Sequence, residues 1–155
     1  MSTFVIEIEP KKTEFDPLSR RIQEDLKESG FLAEETEVHT RRLYKLSGDI
    51  ESEDAKKFGE QLLVDPIIEN MSFYTEPSDP IGLTVDVWPK RGVTDPVGDT
   101  VLKGIRDFGY SKALSAASGL RTLFPKIKDR AKLESFAKQF LANELIHDIR
   151  IRKKN

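Results

Sequence analysis

Two histidines, His39 and His147, are the side chains that titrate near neutral pH, and the chain has no cysteine. A general acid or base needs a partner within hydrogen-bond reach, and neither histidine stands in a motif that supplies one. A metal held by the pair would need the fold to bring distant segments together, so no ligand role is assigned to either. Without cysteine there is no thiolate zinc site, no disulfide framework and no cysteine nucleophile, a composition that suits a reducing compartment. Asp16 and Asp95 invite a reading as paired catalytic carboxylates. Each precedes a proline, however, and that pair opens a helix: the carboxylate accepts from free amides of the first turn, where proline has no amide hydrogen to leave unpaired. Asp16, Pro17, Asp95 and Pro96 are therefore read as helix caps, with Gly98 beside the second pair, and no catalytic residue is assigned. Gly92 and Gly98 are too far apart to cradle a phosphate, and an aspartate at the same helix start would repel an anion. Arg41, Arg42 and Arg121 remain as candidates for touching a partner's acidic surface or a nucleotide. Trp88 and Tyr110 read as core or repeat-interface aromatics rather than as a ligand cage.

The elements that must position these residues occur twice. Asp95 Pro96 restates Asp16 Pro17 at an offset of 79, which also pairs Ile6 with Val85, Ile8 with Val87, Ile22 with Val101, Leu26 with Ile105, Gly30 with Gly109 and Phe31 with Tyr110. A second block, Leu62 Leu63 Val64 Asp65 Pro66 Ile67 Ile68 Glu69, matches Phe140 Leu141 Ala142 Asn143 Glu144 Leu145 Ile146 His147 at an offset of 78. One residue is missing from the second copy, most simply in the loop that follows the middle strand.

Each copy reads strand, helix, strand, helix, strand. Phe4, Ile6 and Ile8 alternate with Glu7 and Glu9, the period of a half-buried strand. Leu18, Ile22 and Leu26 recur every four residues on one face of a helix that Gly30 stops. Residues 37–50 form a long bent strand or a short hairpin. Ser52, Glu53 and Asp54 cap a second helix with Ala55, Phe58 and Leu62 inward, and residues 67–74 close the unit as a strand. The second copy has Leu83, Val85 and Val87 on one strand face, then Val97, Val101, Ile105 and Phe108 on one helix face. The small residues of 115–119 would let a neighbouring subunit or the other repeat come close. Leu133, Phe136, Ala137 and Phe140 line the last helix, and Ile149 and Ile151 mark the last strand. The expected architecture is α+β, with helices on antiparallel sheets in a pseudo-two-fold body, repeats at 1–75 and 81–155, and a linker at 76–80.

Net charge is −2, but residues 1–79 carry 10 Lys plus Arg against 19 Asp plus Glu, and residues 80–155 carry 15 against 8. The division is read first as attraction between the repeats, with a basic side for an anionic partner as the alternative. A nucleic-acid binder would show basic residues interleaved with exposed aromatics on a strongly basic domain, and this chain does not. No run of about 18 apolar residues could span a bilayer, and the amino terminus has no signal-peptide pattern. A cytoplasmic protein is expected.

The segment from Gly92 to Gly98, an amphipathic helix closing on Phe108 Gly109 Tyr110, and the duplicated second block together resemble PurS, the small subunit of phosphoribosylformylglycinamidine synthase. The resemblance covers nearly the whole chain, once per repeat. Ser19 departs from the glycine kept at Gly98, Asp65 from the asparagine kept at Asn143, and Glu144 from the proline kept at Pro66. A tandem of this kind resembles the amino-terminal region of the large single-chain enzyme. The resemblance implies a non-catalytic subunit of purine biosynthesis, without cofactor of its own. It would lie between a glutaminase (PurQ-type) and a synthetase (PurL-type), and ATP and glutamine would be used by those partners. A homodimer of the tandem, and a place as the front end of a larger synthase, both stay open. A tandem small-molecule-binding regulatory domain of amino-acid-sensor type is the alternative.

Overall fold

The computed structural model describes residues 1–30, 37–75 and 82–153. The expected linker at 76–80, Phe31 and the last two residues of the basic tail lie outside them. In order, the elements are β1 (Ser2–Pro10), α1 (Pro17–Ser29), β2 (His39–Gly48), α2 (Ser52–Phe58), β3 (Glu69–Tyr74), β4 (Leu83–Pro89), α3 (Pro96–Asp107), β5 (Leu114–Phe124), α4 (Arg130–Phe136) and β6 (His147–Lys153). The six strands form one antiparallel sheet in the order β3-β1-β2-β5-β4-β6. The repeats meet where β2 pairs with β5 from His39 opposite Leu123 to Gly48 opposite Leu114. Each repeat's inner strand thus covers the other's open edge.

All four helices lie on one face, because the even-numbered residues of β1, β2 and β5 and the odd-numbered residues of β4 carry the apolar side chains there. The core they make is exchanged between the repeats. Ile22 and Leu26 of α1 pack with Leu83, Val85, Leu133 and Phe136 of the second repeat. Val101 and Ile105 of α3 pack with Ile6, Leu46, Ala55 and Phe58 of the first. Burying a side chain of this size contributes about 1.5–3 kcal/mol, so each repeat draws part of its core from the other.

Of the two forms expected over residues 37–50, the long strand is the one present, as β2. Several other expectations are corrected. The cap of α2 is Glu51 instead of Ser52, in a reciprocal arrangement with Asp54. Both second helices end in a wider π-helical turn, Gly59–Leu63 and Ala137–Leu141, closed by Val64 donating to the Gly59 carbonyl and Ala142 to that of Ala137. That widening swings Leu62 and Phe140 out of the core. Leu62 lies against Gly104 of α3, and Phe140 stacks on Phe136 with ring centres 4.9 Å apart. Phe108 follows the end of α3 and is half exposed. Ile67 is no strand residue, since β3 starts at Glu69.

At 115–119 the other repeat does come close, since Ser115 to Gly119 pair with Ser47 to Leu43 of β2, and the tightest contacts there are made by α3 and Trp88. A Cβ on Gly98 would sit 2.8 Å from the Ala116 carbonyl, and one on Gly119 would sit 2.6 Å from the Trp88 ring, both contacts within repeat 2. Gly98→Ala must therefore lift α3 from β5, and the expected cost is about 1–3 kcal/mol in urea unfolding. Ser19→Ala, at the equivalent place in the looser α1, should cost less.

Candidate functional site

The two aspartates occupy equivalent places. Asp16 accepts from the amide of Ser19 at 3.1 Å, the amide of Thr40 at 3.0 Å and the Thr40 hydroxyl at 2.5 Å. Asp95 accepts from the amide of Gly98 at 3.0 Å, the amide of Ser118 at 2.7 Å and the Ser118 hydroxyl at 2.7 Å. Burial works to raise the Asp95 pKa, but bonds from Ser118 and the Gly98 amide outweigh it and hold the carboxyl below its ordinary value. These carboxylates join a helix start to the neighbouring strand. They also locate the missing residue. The offset is 79 at the aspartates and already 78 from Thr40 to Ser118, so the loss precedes the middle strand instead of following it. With that register Arg42 pairs with its own counterpart Leu120, and the pseudo-two-fold axis passes between them.

The corrected register also reassigns the arginines. Arg121 is the counterpart of Leu43, not of Arg42, and it points to the sheet face away from the helices. It is 7% exposed. Its Nε and Nη2 bond both Asp86 oxygens at 2.7 and 2.9 Å, while Nη1 reaches Glu7 and, at 2.9 Å, the Tyr74 hydroxyl. Glu7 and Asp86 are themselves counterparts, 79 positions apart, so one guanidinium ties the two equivalent acids across the repeat boundary. Arg41 adds bonds to Glu7 at 2.5 Å and Glu9 at 3.2 Å. Arg42, on the helix side, holds Glu69 at 2.9 Å and the Leu63 carbonyl at 3.1 Å. All three arginines are thus engaged inside the chain, and Arg121 is closed to a partner.

Burial opposes the ionised forms in this network, and the partners restore them. Burial raises the Glu7 pKa, but the bond from Tyr74 and the charges of Arg121 and Arg41 carry it below its ordinary value. Burial lowers the Arg121 pKa, but Asp86 more than compensates. Burial, aided by Glu7, pushes Tyr74 up to about 12. The arrangement fixes a shape and leaves no nucleophile or general base unoccupied. Because the folded Tyr74 pKa lies above the unfolded value of about 10, its contribution to stability is complete below that pH and is lost as pH rises through about 12. An ultraviolet tyrosinate titration should show a late step that Tyr74→Phe removes.

The aromatic pair lies at the repeat boundary. Lys45 of the first repeat stands 4.3 Å above the Trp88 ring, and Tyr110 meets Phe58 edge-on at 5.2 Å.

The histidines lie in different repeats. His39 Nε2 is 2.7 Å from Glu37. His147 Nδ1 accepts the Asn143 amide at 3.0 Å, the bond that the Glu69 carboxylate makes with the Asp65 amide at 3.0 Å in the first repeat. The two turns are otherwise alike: Asp65 accepts from the Ile67 amide and Asn143 from the Leu145 amide, each at 3.0 Å. Both turns present an aliphatic side chain to solvent, Ile67 at 81% and Leu145 at 84% exposure. Among the described residues no three His, Asp or Glu side chains converge to hold a metal ion, and no helix is long and apolar enough to cross a membrane.

Sequence reasoning missed Glu7, Asp86 and Tyr74. The signal for the first two was present, since both are acids on equivalent strand positions in each copy.

No curated protein matches the chain. Among protein families, residues 3–77 and again residues 82–155 match PurS, phosphoribosylformylglycinamidine (FGAM) synthase. With almost its entire length matched in two consecutive units, the chain belongs to the PurS family as a tandem of two PurS domains.

Proposed function

We propose that this protein is a non-catalytic PurS-type subunit of phosphoribosylformylglycinamidine synthase, joining a glutaminase (PurQ-type) to a synthetase (PurL-type) in the cytoplasmic synthesis of purines. The observation that carries the reading is the double family match, covering residues 3–77 and 82–155. The single sheet with an exchanged core supports it, because a connector must hold its two ends at a fixed separation. The partners would supply ATP and glutamine chemistry, and this chain needs no cofactor for the role. The sensor alternative has less to support it. One recess between the repeats, about 390 Å³ and lined by Tyr44, Leu62, Leu63, Pro96, Val97, Thr100 and Val101, has no charged side chain to hold an amino acid's carboxylate or ammonium; a second, about 640 Å³, has Lys45, Lys90, Arg91, Asp95 and Asp99 on its walls, but no family match speaks for a sensor.

The test is reconstitution with purified glutaminase and synthetase. Adding this protein should raise glutamine-dependent synthase activity and leave ammonia-dependent activity unchanged. Equal glutamine-dependent activity with and without it would overturn the reading, as would stabilisation by a free amino acid alone in thermal-shift screening.

A further inference from the structure

The loop after the first strand of each repeat carries two basic residues, Lys11 and Lys12 in the first copy and Lys90 and Arg91 in the second. In the first copy both are held. Lys11 donates to the Pro66 carbonyl at 2.6 Å, and Lys12 lies over the Phe15 ring. The strand beside them carries His39 and Arg41, which bonds Glu9 at 3.2 Å, and the recess left there is about 170 Å³.

The second copy keeps the cations and loses what holds and crowds them. Thr94 stands in place of Phe15 and Glu144 in place of Pro66. In the corrected register Ala117 and Gly119 replace His39 and Arg41, and Trp88 replaces Glu9. The result is a recess of about 640 Å³ between the loop 90–95 and the start of β5, within the roughly 300–1,000 Å³ that holds small organic ligands. The first repeat adds a third cation. Lys45 stands opposite Ala117 on β2, with its Nζ 4.3 Å from the Trp88 ring. None of Lys45, Lys90 and Arg91 forms an ion pair with a described residue.

Two acids on the walls narrow the choice of ligand. Asp95 is occupied, because its oxygens accept from Gly98 and Ser118. Asp99 is exposed on the first turn of α3, where it disfavours a bare polyanion and offers an acceptor to hydroxyl groups. Lys90 also borders a smaller recess with Glu134, Glu144 and Asp148, which places it at the rim. Two cations inside and a third at the rim match the roughly two negative charges of a phosphate monoester, and an arginine fork suits its oxygens.

We propose that this recess binds a sugar phosphate, its phosphoryl group taken by Lys45 and Arg91 and its hydroxyls by Asp99 and Ser115. The start of α3 is not the receptor, since Asp95 covers it; the cations come from the loop and from the other repeat. The recess is complete within this chain, so the proposal stands apart from the connector reading and is tested without the partners.

The experiment is isothermal titration of the full chain with ribose 5-phosphate, glucose 6-phosphate, ribose and inorganic phosphate. At least one ester should bind at one site per chain, ribose should not bind, and inorganic phosphate should bind at least tenfold more weakly than that ester. Lys45→Ala and Arg91→Ala should each weaken the ester at least tenfold, and Lys90→Ala less. Ala117→His, which restores the first repeat's side chain, should block binding, while Asp99→Asn should weaken the ester and strengthen inorganic phosphate. Arg91 and Asp99 are exposed, so their variants should unfold at the wild-type temperature. The proposal is overturned if neither ester binds, or if binding survives Lys45→Ala and Arg91→Ala. It is equally overturned if inorganic phosphate or heparin binds as tightly as the esters, which would mean a basic surface only. Failure to join glutaminase and synthetase would leave this result standing, just as absence of ester binding would leave the connector reading standing.

Discussion

Arg121→Met is expected to lower the free energy of unfolding by about 3–5 kcal/mol, a large share of the roughly 5–15 kcal/mol that holds a domain together. The loss comes less from the bonds themselves than from what is left behind. Glu7 and Asp86, 6% and 4% exposed, would remain as neighbouring acids without the guanidinium that joins them. Arg121→Lys should fail almost as badly, because one ammonium cannot hold both Asp86 oxygens and still reach Glu7. The triple variant Glu7→Gln, Asp86→Asn, Arg121→Met should recover most of the loss, since it removes the stranded charges along with their partner. The pH dependence separates this account from simple loss of packing. In the native protein the depressed Glu7 pKa makes a stabilising contribution that is present above the ordinary value of 4.5 and is lost as pH falls through the folded value. In Arg121→Met that source of depression is gone, so acid should narrow the gap between the two proteins. Urea unfolding near neutrality and in mild acid checks this, and a gap constant with pH would show that the carboxylates are not its cause.

Arg121 was legible as a candidate contact for a partner, and why its buried place between two acids was not follows from the strand period. Side chains on a strand alternate faces, so a register error of one residue moves every side chain to the opposite side. Carrying the offset of 79 through the middle strand sets Arg121 beside Arg42, which lies on the helix side and is substantially exposed. The offset of 78 sets it at Leu43, on the other face, between Glu7 and Asp86. The helix starts were legible because their cause is local: an Asp-Pro pair specifies its own hydrogen bonds whatever the rest of the chain does. The order of elements was legible because apolar periods of two and of nearly four are repeated at fixed spacing. The wide turns at Gly59 and Ala137 were not, since the two segments share no local pattern that marks them. The close approach of the Met71 sulfur to Gly59 was equally hidden, because Met71 lies on another element. Periodicity likewise shows that Ile22 and Leu26 face a core without saying which repeat supplies it.

That exchange sets the second expectation. Residues 1–78 and 79–155, produced separately, should lack cooperative unfolding as monomers, and mixing them should restore it. In each fragment the first helix keeps its apolar stripe and loses the surface it covers: Ile22 and Leu26 belong with β4 and α4, Val101 and Ile105 with β1 and α2. Each fragment also exposes the whole edge of β2 or β5. A chain of under 80 residues is near the lower limit for a self-sufficient core even when the core is intact. Either fragment could relieve its edge by pairing with itself, but the mixture should favour the unlike pair. Arg121 exists in one repeat alone, and a pair of first repeats would set Leu43 where that guanidinium belongs, facing buried Glu7 on each side. The opposite net charges of the halves act in the same direction. Circular dichroism and sedimentation of each fragment and of the mixture provide the measurement. A monomeric first fragment that unfolds cooperatively would mean that the exchanged helices are ornamental to the core, and with it would go the physical basis for treating this tandem as a single rigid body.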